Sequence, residues 1–96
     1  MRIVPVIHPM KLELFHKMPC PYSAKVRDYI DEKGIKAQIT YRDILKDPGA
    51  HDELVRMNGA ERVPCLVIDG KPMLESDDIV AWLESNVVGD SQAKTS

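Results

Sequence analysis

Long apolar runs, a dominant charge of one sign and a cysteine framework are all missing from this sequence of 96 residues. No stretch approaches the roughly 20 apolar residues that an α-helix needs to cross a bilayer, so no membrane partner is expected. Lys and Arg number 13 against 15 Asp and Glu, for a formal net charge of -2. The two signs are intermixed, which leaves no basic stripe for a phosphate backbone and removes nucleic acid from the expected partners. Cysteine is limited to Cys20 and Cys65, too few to staple a small secreted domain, and both are expected as reduced thiols in a reducing, cytoplasmic compartment. Met1 to Met10 is apolar, but Pro5 and Pro9 interrupt it and a small-residue cleavage site is lacking, so it does not read as a secretory signal. His8, His16 and His51 are scattered, and His16 with Cys20 lacks the further ligands of a closed zinc site, so no metal is expected.

What remains is an ordinary soluble composition, 44% apolar, in a chain long enough for one compact domain. Lys11 to Phe15 alternates apolar and polar residues and predicts a first strand. From Pro21 to Lys33 the apolar residues Tyr22, Val26, Tyr29 and Ile30 recur at helical spacing, and Gly34 supplies the stop. Ala37 to Tyr41 reads as a second strand. Asp47-Pro48 resembles a helix start, with Leu54 and Val55 turned to the core and Gly59 at the end. Cys65 to Ile68 and Lys71 to Leu74 read as strands joined by an Asp69-Gly70 hairpin turn. Ser76 opens a last helix, with Asp77 and Asp78 in its first turn and Ile79, Trp82 and Leu83 on the buried face. The order βαβαββα predicts an α/β domain with a four-stranded mixed sheet flanked by helices. Residues 11–88 form this domain, 1–10 a lead and 89–96 a flexible tail with nothing to bury.

Chemistry concentrates at Cys20-Pro-Tyr-Ser23, which follows the first strand and begins the first helix. Unpaired amides there point at the sulfur, the helix dipole is positive, and Lys17 lies three residues earlier. Such surroundings bring a cysteine to a pKa of roughly 3.5 to 7.5, against about 8.5 for a free thiol, so Cys20 is a candidate nucleophile rather than an inert thiol. Glu75-Ser76-Asp77 at the start of the last helix offers amides for a carboxylate and acids for an ammonium group, although such residues also serve as plain helix caps. Lys17 reads equally as a solvated charge, and Tyr22 as either a wall of the site or the first core residue of its helix. Cys65, in an apolar run after Pro64, reads as a core residue.

The segment Lys17-Met-Pro-Cys-Pro-Tyr-Ser23 resembles the active site of glutaredoxins, in which a lysine precedes a Cys-Pro-Tyr-Cys motif by three residues. Val63-Pro64 is similar to the family's Thr-Val-Pro segment, and the likeness runs from about Lys11 to Asn86. It implies the thioredoxin fold, with Pro64 in the cis form facing Cys20 and the Val63 backbone pairing with glutathione. It further implies Lys17 on the glycine carboxylate, Tyr22 beside the ligand and Asp77 on the γ-glutamyl amine. Where glutaredoxins carry a Gly-Gly pair this chain has Leu74-Glu75, and Glu75-Ser76 resembles instead the γ-glutamyl site of the glutathione transferase N-terminal domain. Both resemblances imply glutathione as co-substrate.

Ser23 replaces the second cysteine of a dithiol glutaredoxin. The expected activity is therefore that of a monothiol, a glutathione-dependent thiol-disulfide oxidoreductase acting through Cys20 on glutathionylated proteins or small disulfides, in a chain expected to be monomeric. Two alternatives stay open. One is an iron-sulfur cluster carrier using Cys20 and glutathione, disfavoured because Pro21 stands where cluster-carrying relatives have a flexible glycine. The other is a stand-alone transferase-like domain, since the chain has no room for the helical partner domain of transferases.

Overall fold

The computed structural model describes residues 11–88; the lead with His8 and the tail 89–96 lie outside the described residues. Strand β1 (Leu12–His16) is followed by helix α1 (Pro21–Lys33), strand β2 (Thr40–Asp43), helix α2 (Pro48–Asn58), strands β3 (Cys65–Ile68) and β4 (Lys71–Met73), and helix α3 (Ser76–Leu83). The sheet order is β2-β1-β3-β4. β1 runs parallel to β2 and antiparallel to β3, which pairs antiparallel with β4. This is the expected βαβαββα arrangement with a mixed sheet.

The pleat divides the core into two layers, because successive strand residues face opposite sides. Leu12, Leu14 and Leu66 pack against Val26 and Ile30 of α1 and Ile79 and Leu83 of α3. Phe15, Cys65 and Val67 face the other way, against Ala50 and Leu54 of α2 and against Ile44. Cys65 is thus a core residue, fully buried. Burial pushes its thiol pKa up, more than the Asn58 side-chain amide and the Met73 backbone pull it down.

Helix ends follow their sequence signals. Pro21 occupies the first turn of α1, and Gly34 closes the helix at φ 69°, with Ile35 N–H reaching back to Ile30 O at 3.2 Å. Asp47 caps α2 by accepting from Gly49 and Ala50 N–H at 3.0 and 3.3 Å.

Four expectations need correction. The second strand begins at Thr40 and extends to Asp43, because Lys36–Gln38 forms a 3₁₀ turn that buries Ile35 and Ile39 on either side of it. Val55 is half-buried, and Leu54 alone of that pair reaches the core. Trp82 packs on the core only partly buried. β4 ends at Met73 and not at Leu74, while α3 opens at Ser76 as expected, with Glu75 at the N-cap position making no side-chain cap bond.

Candidate functional site: a helix-capping thiol beside a charged cleft

Cys20 is the N-cap of α1, half-buried, with extended backbone. Its amide donates to Lys17 O at 3.2 Å and its carbonyl accepts from Ala24 N–H at 3.0 Å. This seating turns the free amides of Tyr22 and Ser23 toward the sulfur, as helix geometry requires of the residues after a cap. Burial by itself raises the Cys20 pKa, but the Ser23 amide and hydroxyl, the Tyr22 amide and the Lys17 charge together outweigh it and hold the thiol below its ordinary value. Ser23 is fully buried, and its hydroxyl has no hydrogen-bond partner among the described residues, which leaves it available to the Cys20 sulfur.

Opposite Cys20 stands the Val63–Pro64 peptide, in the cis form. Cys20 Sγ lies 4.0 Å from Val63 O, a loose contact that brings chain segments 43 residues apart to one point. Among the described residues Val63 makes no backbone–backbone hydrogen bond, and it lines the site with its carbonyl as the acceptor nearest the Cys20 thiol.

A cleft of about 330 Å³ opens beside this pair, in the size range of small-molecule sites. Tyr22, Val63, Pro64, Glu75, Ser76 and Asp77, all expected at the site, line it together, joined by Lys25, Arg62 and Leu74, which were not expected there. The Tyr22 ring is 63% exposed, which decides between its two readings: it is a wall of the cleft and not a core residue. Lys17 does not line the cleft. It pairs with Glu61 at 3.9 Å, and Glu61 also accepts from His51 Nε2 at 3.1 Å.

Glu75 holds φ 76°, a left-handed value uncommon outside glycine. That turn leads from β4 into α3, whose first residues, the buried Ser76 and the exposed Asp77, line the cleft. The charges of the cleft come in pairs of opposite sign: Lys25 bonds Asp77, and Arg62 approaches Glu75 at 3.9 Å. Lys25 and Asp77 lie 52 residues apart, so proximity in sequence carries no sign of the pair. The signal available for Lys25 is its spacing, one helical turn past Pro21 on the side of Tyr22, and for Arg62 its adjacency to Val63.

A sheet of this order, a thiol capping the first helix and a cis-proline facing it define a thioredoxin-fold thiol protein. Wheat glutaredoxin shares the fold, with a TM-score of 0.59 at 21% identity over 88% of this chain and 77% of that one. A family model described as the glutathione S-transferase N-terminal domain matches residues 14–91, and the chain belongs to that family. Glutathione transferase Omega 3C from Trametes versicolor superposes with a TM-score of 0.65 at 26% identity, covering 81% of this chain and 34% of the other. A rice glutathione transferase in complex with glutathione gives 0.63 at 28% identity, covering 82% and 34%. The chain therefore spans about a third of the length of these transferases. No curated protein matches the sequence.

Proposed function

We propose that this domain binds glutathione in the cleft and uses Cys20 as a monothiol nucleophile on glutathione mixed disulfides. The observation that carries the reading is the Cys20 sulfur at the α1 N-terminus, its pKa lowered, 4.0 Å from Val63 O and beside a cleft lined by charges of both signs. Glutathione is an extended tripeptide with an ammonium and a carboxylate at one end and a second carboxylate at the other. Asp77 and Glu75 take the γ-glutamyl ammonium, and Ser76 with the first amides of α3 takes the adjacent carboxylate. The Val63 amide and carbonyl pair with the central residue as a strand would. Lys17 takes the glycine carboxylate in exchange for Glu61, and Tyr22 flanks the ligand.

In the first step the Cys20 thiolate attacks the glutathionyl sulfur of a mixed disulfide. A Cys20–glutathione disulfide forms, and the substrate leaves as a thiolate that takes a proton from solvent. In the second step a glutathione thiolate attacks the same glutathionyl sulfur, releasing glutathione disulfide and the Cys20 thiolate. Ser23 cannot resolve the first intermediate, so reduction of protein disulfides is weak. A reducing cytoplasmic setting, glutathionylated proteins or small disulfides as substrates and a monomeric state belong to the same proposal.

Turnover of a glutathione mixed disulfide, coupled to glutathione and its reductase, tests it. Activity lost in Cys20→Ser and kept in Cys65→Ser is the expected result. Binding of glutathione without turnover would overturn the oxidoreductase reading and favour the second one, a transferase-like domain that presents glutathione to an electrophile. The family match and the Glu75-Ser76 turn favour that second reading, and conjugation of a chloronitrobenzene measures it.

A further inference from the structure

Arg27 lies two turns into α1, outside the cleft, yet its side chain turns back to the loop that delivers Cys20. Its guanidinium sits 3.1 Å from His16 Nδ1 and donates to Lys17 O and Met18 O, both at 3.3 Å. Three acceptors on the segment between β1 and Cys20 thus converge on one planar fork, which an ammonium group cannot reproduce. His16 ends β1, is buried, and meets the Tyr41 ring edge-on at 5.2 Å. The imidazole is therefore fixed from both sides.

Lys17 O also accepts from the Cys20 amide, so one oxygen joins the guanidinium to the reactive residue. From these contacts we infer that Arg27 is a positioning residue of Cys20, clamping the 17–19 loop to α1 so that the sulfur stays over the helix N-terminus and the Lys17 ammonium stays near it. Asp28 and Lys25, its neighbours on α1, are exposed and take no part in the clamp. The Arg27 charge is not itself the device, because the guanidinium is spent on carbonyls and on His16, while the thiolate is favoured by the Ser23 amide and hydroxyl, the Tyr22 amide and the Lys17 charge. A loosened loop lets the sulfur drift from those amides, and the thiolate becomes harder to form.

The inference rests on Cys20 being the reacting group, and its test needs no glutathione. Alkylation of Cys20 in the full chain is followed against pH by mass spectrometry of its peptide, for the parent and for Arg27→Lys and Arg27→Met. The expected result is a midpoint displaced upward by about half a unit to one unit in Arg27→Met and by less in Arg27→Lys. Alkylation on the acid side is then about three- to tenfold slower, with rates converging once all thiols are ionised. That convergence separates the effect from general damage to the fold, which alters the alkaline plateau as well. Unchanged midpoints in both variants would overturn the proposal, and so would complete rescue by lysine, which assigns the effect to charge. If Arg27→Met does not fold, Arg27→Lys decides alone: a raised midpoint supports the clamp and an unchanged one overturns it. Failure of mixed-disulfide turnover in the parent, with the Cys20 midpoint still sensitive to Arg27, would sink the proposed function and leave this inference standing.

Discussion

Ser23 is fully buried one helical turn past Cys20, with its hydroxyl unpartnered among the described residues. A buried hydroxyl without a partner costs stability, commonly about 1 to 3 kcal/mol, so its presence points to a task in the ionised state of Cys20. Ser23→Ala is expected to leave unfolding free energy equal or higher while raising the Cys20 pKa, read from thiolate ultraviolet absorbance against pH. Ser23→Cys is expected to add reduction of protein disulfides, checked with insulin turbidity. His16 supplies a pH prediction. Burial first, and then Arg27, lowers its pKa below 6.5, with Asp43 opposing. The unfolded chain therefore binds more protons than the folded one between the lowered folded pKa and about 6.5, and stability rises with pH across that window and levels off above it. Urea midpoints across this range are expected to follow that slope, and His16→Phe to flatten it.

The segments legible in the sequence are those where one signal suffices. Pro21, Gly34, Asp47 and Gly59 bound α1 and α2 where capping rules put them. The second strand was misplaced because its partners are charges. Arg42 on β2 reaches Glu13 on β1 at 3.2 Å, Asp47 at 3.8 Å and Glu53 on α2 at 3.2 Å, and it lies over the Phe15 ring. Such a network fills one face of an edge strand without apolar alternation, so a periodicity search stops at Tyr41. Arg42→Met is expected to destabilise the fold by about 1 to 3 kcal/mol, since it leaves half-buried Glu13 only the exposed Lys11 at 4.0 Å as a partner, and denaturant titration measures this. The turn into α3 behaves in the opposite sense. Glu75 pays a backbone penalty at φ 76° that glycine does not, so Glu75→Gly is expected to keep or raise stability by up to about 1 kcal/mol. The same substitution removes a carboxylate from the cleft and is expected to weaken glutathione binding, which calorimetry reads separately.

Across the whole molecule the candidate site assembles from the β1–α1 loop, the approach to β3 and the start of α3, because β1 and β3 are neighbours in the sheet. Cys20, Val63-Pro64 and Glu75-Ser76 were readable as three separate words whose meeting the topology supplies. Lys25 and Arg62 were not readable, since each enters through the reach of a long side chain toward an acid elsewhere. Glutathione at a hundredfold excess over its dissociation constant is expected to stabilise the folded chain by about 2.7 kcal/mol, and to do so in Cys20→Ser as well, because the proposed ligand contacts lie in the cleft, which Cys20 does not line.

β4 forms one margin of the sheet, and its centre is Pro72, paired inward with Val67 and flanked by exposed Lys71. An imide nitrogen has no hydrogen to offer a passing strand, and a lysine beside it resists dehydration. The opposite margin, β2, is four residues long and tethered by Arg42 to its neighbours. Among the described residues, then, each border of the sheet that holds the thiol is a poor template for the addition of another strand.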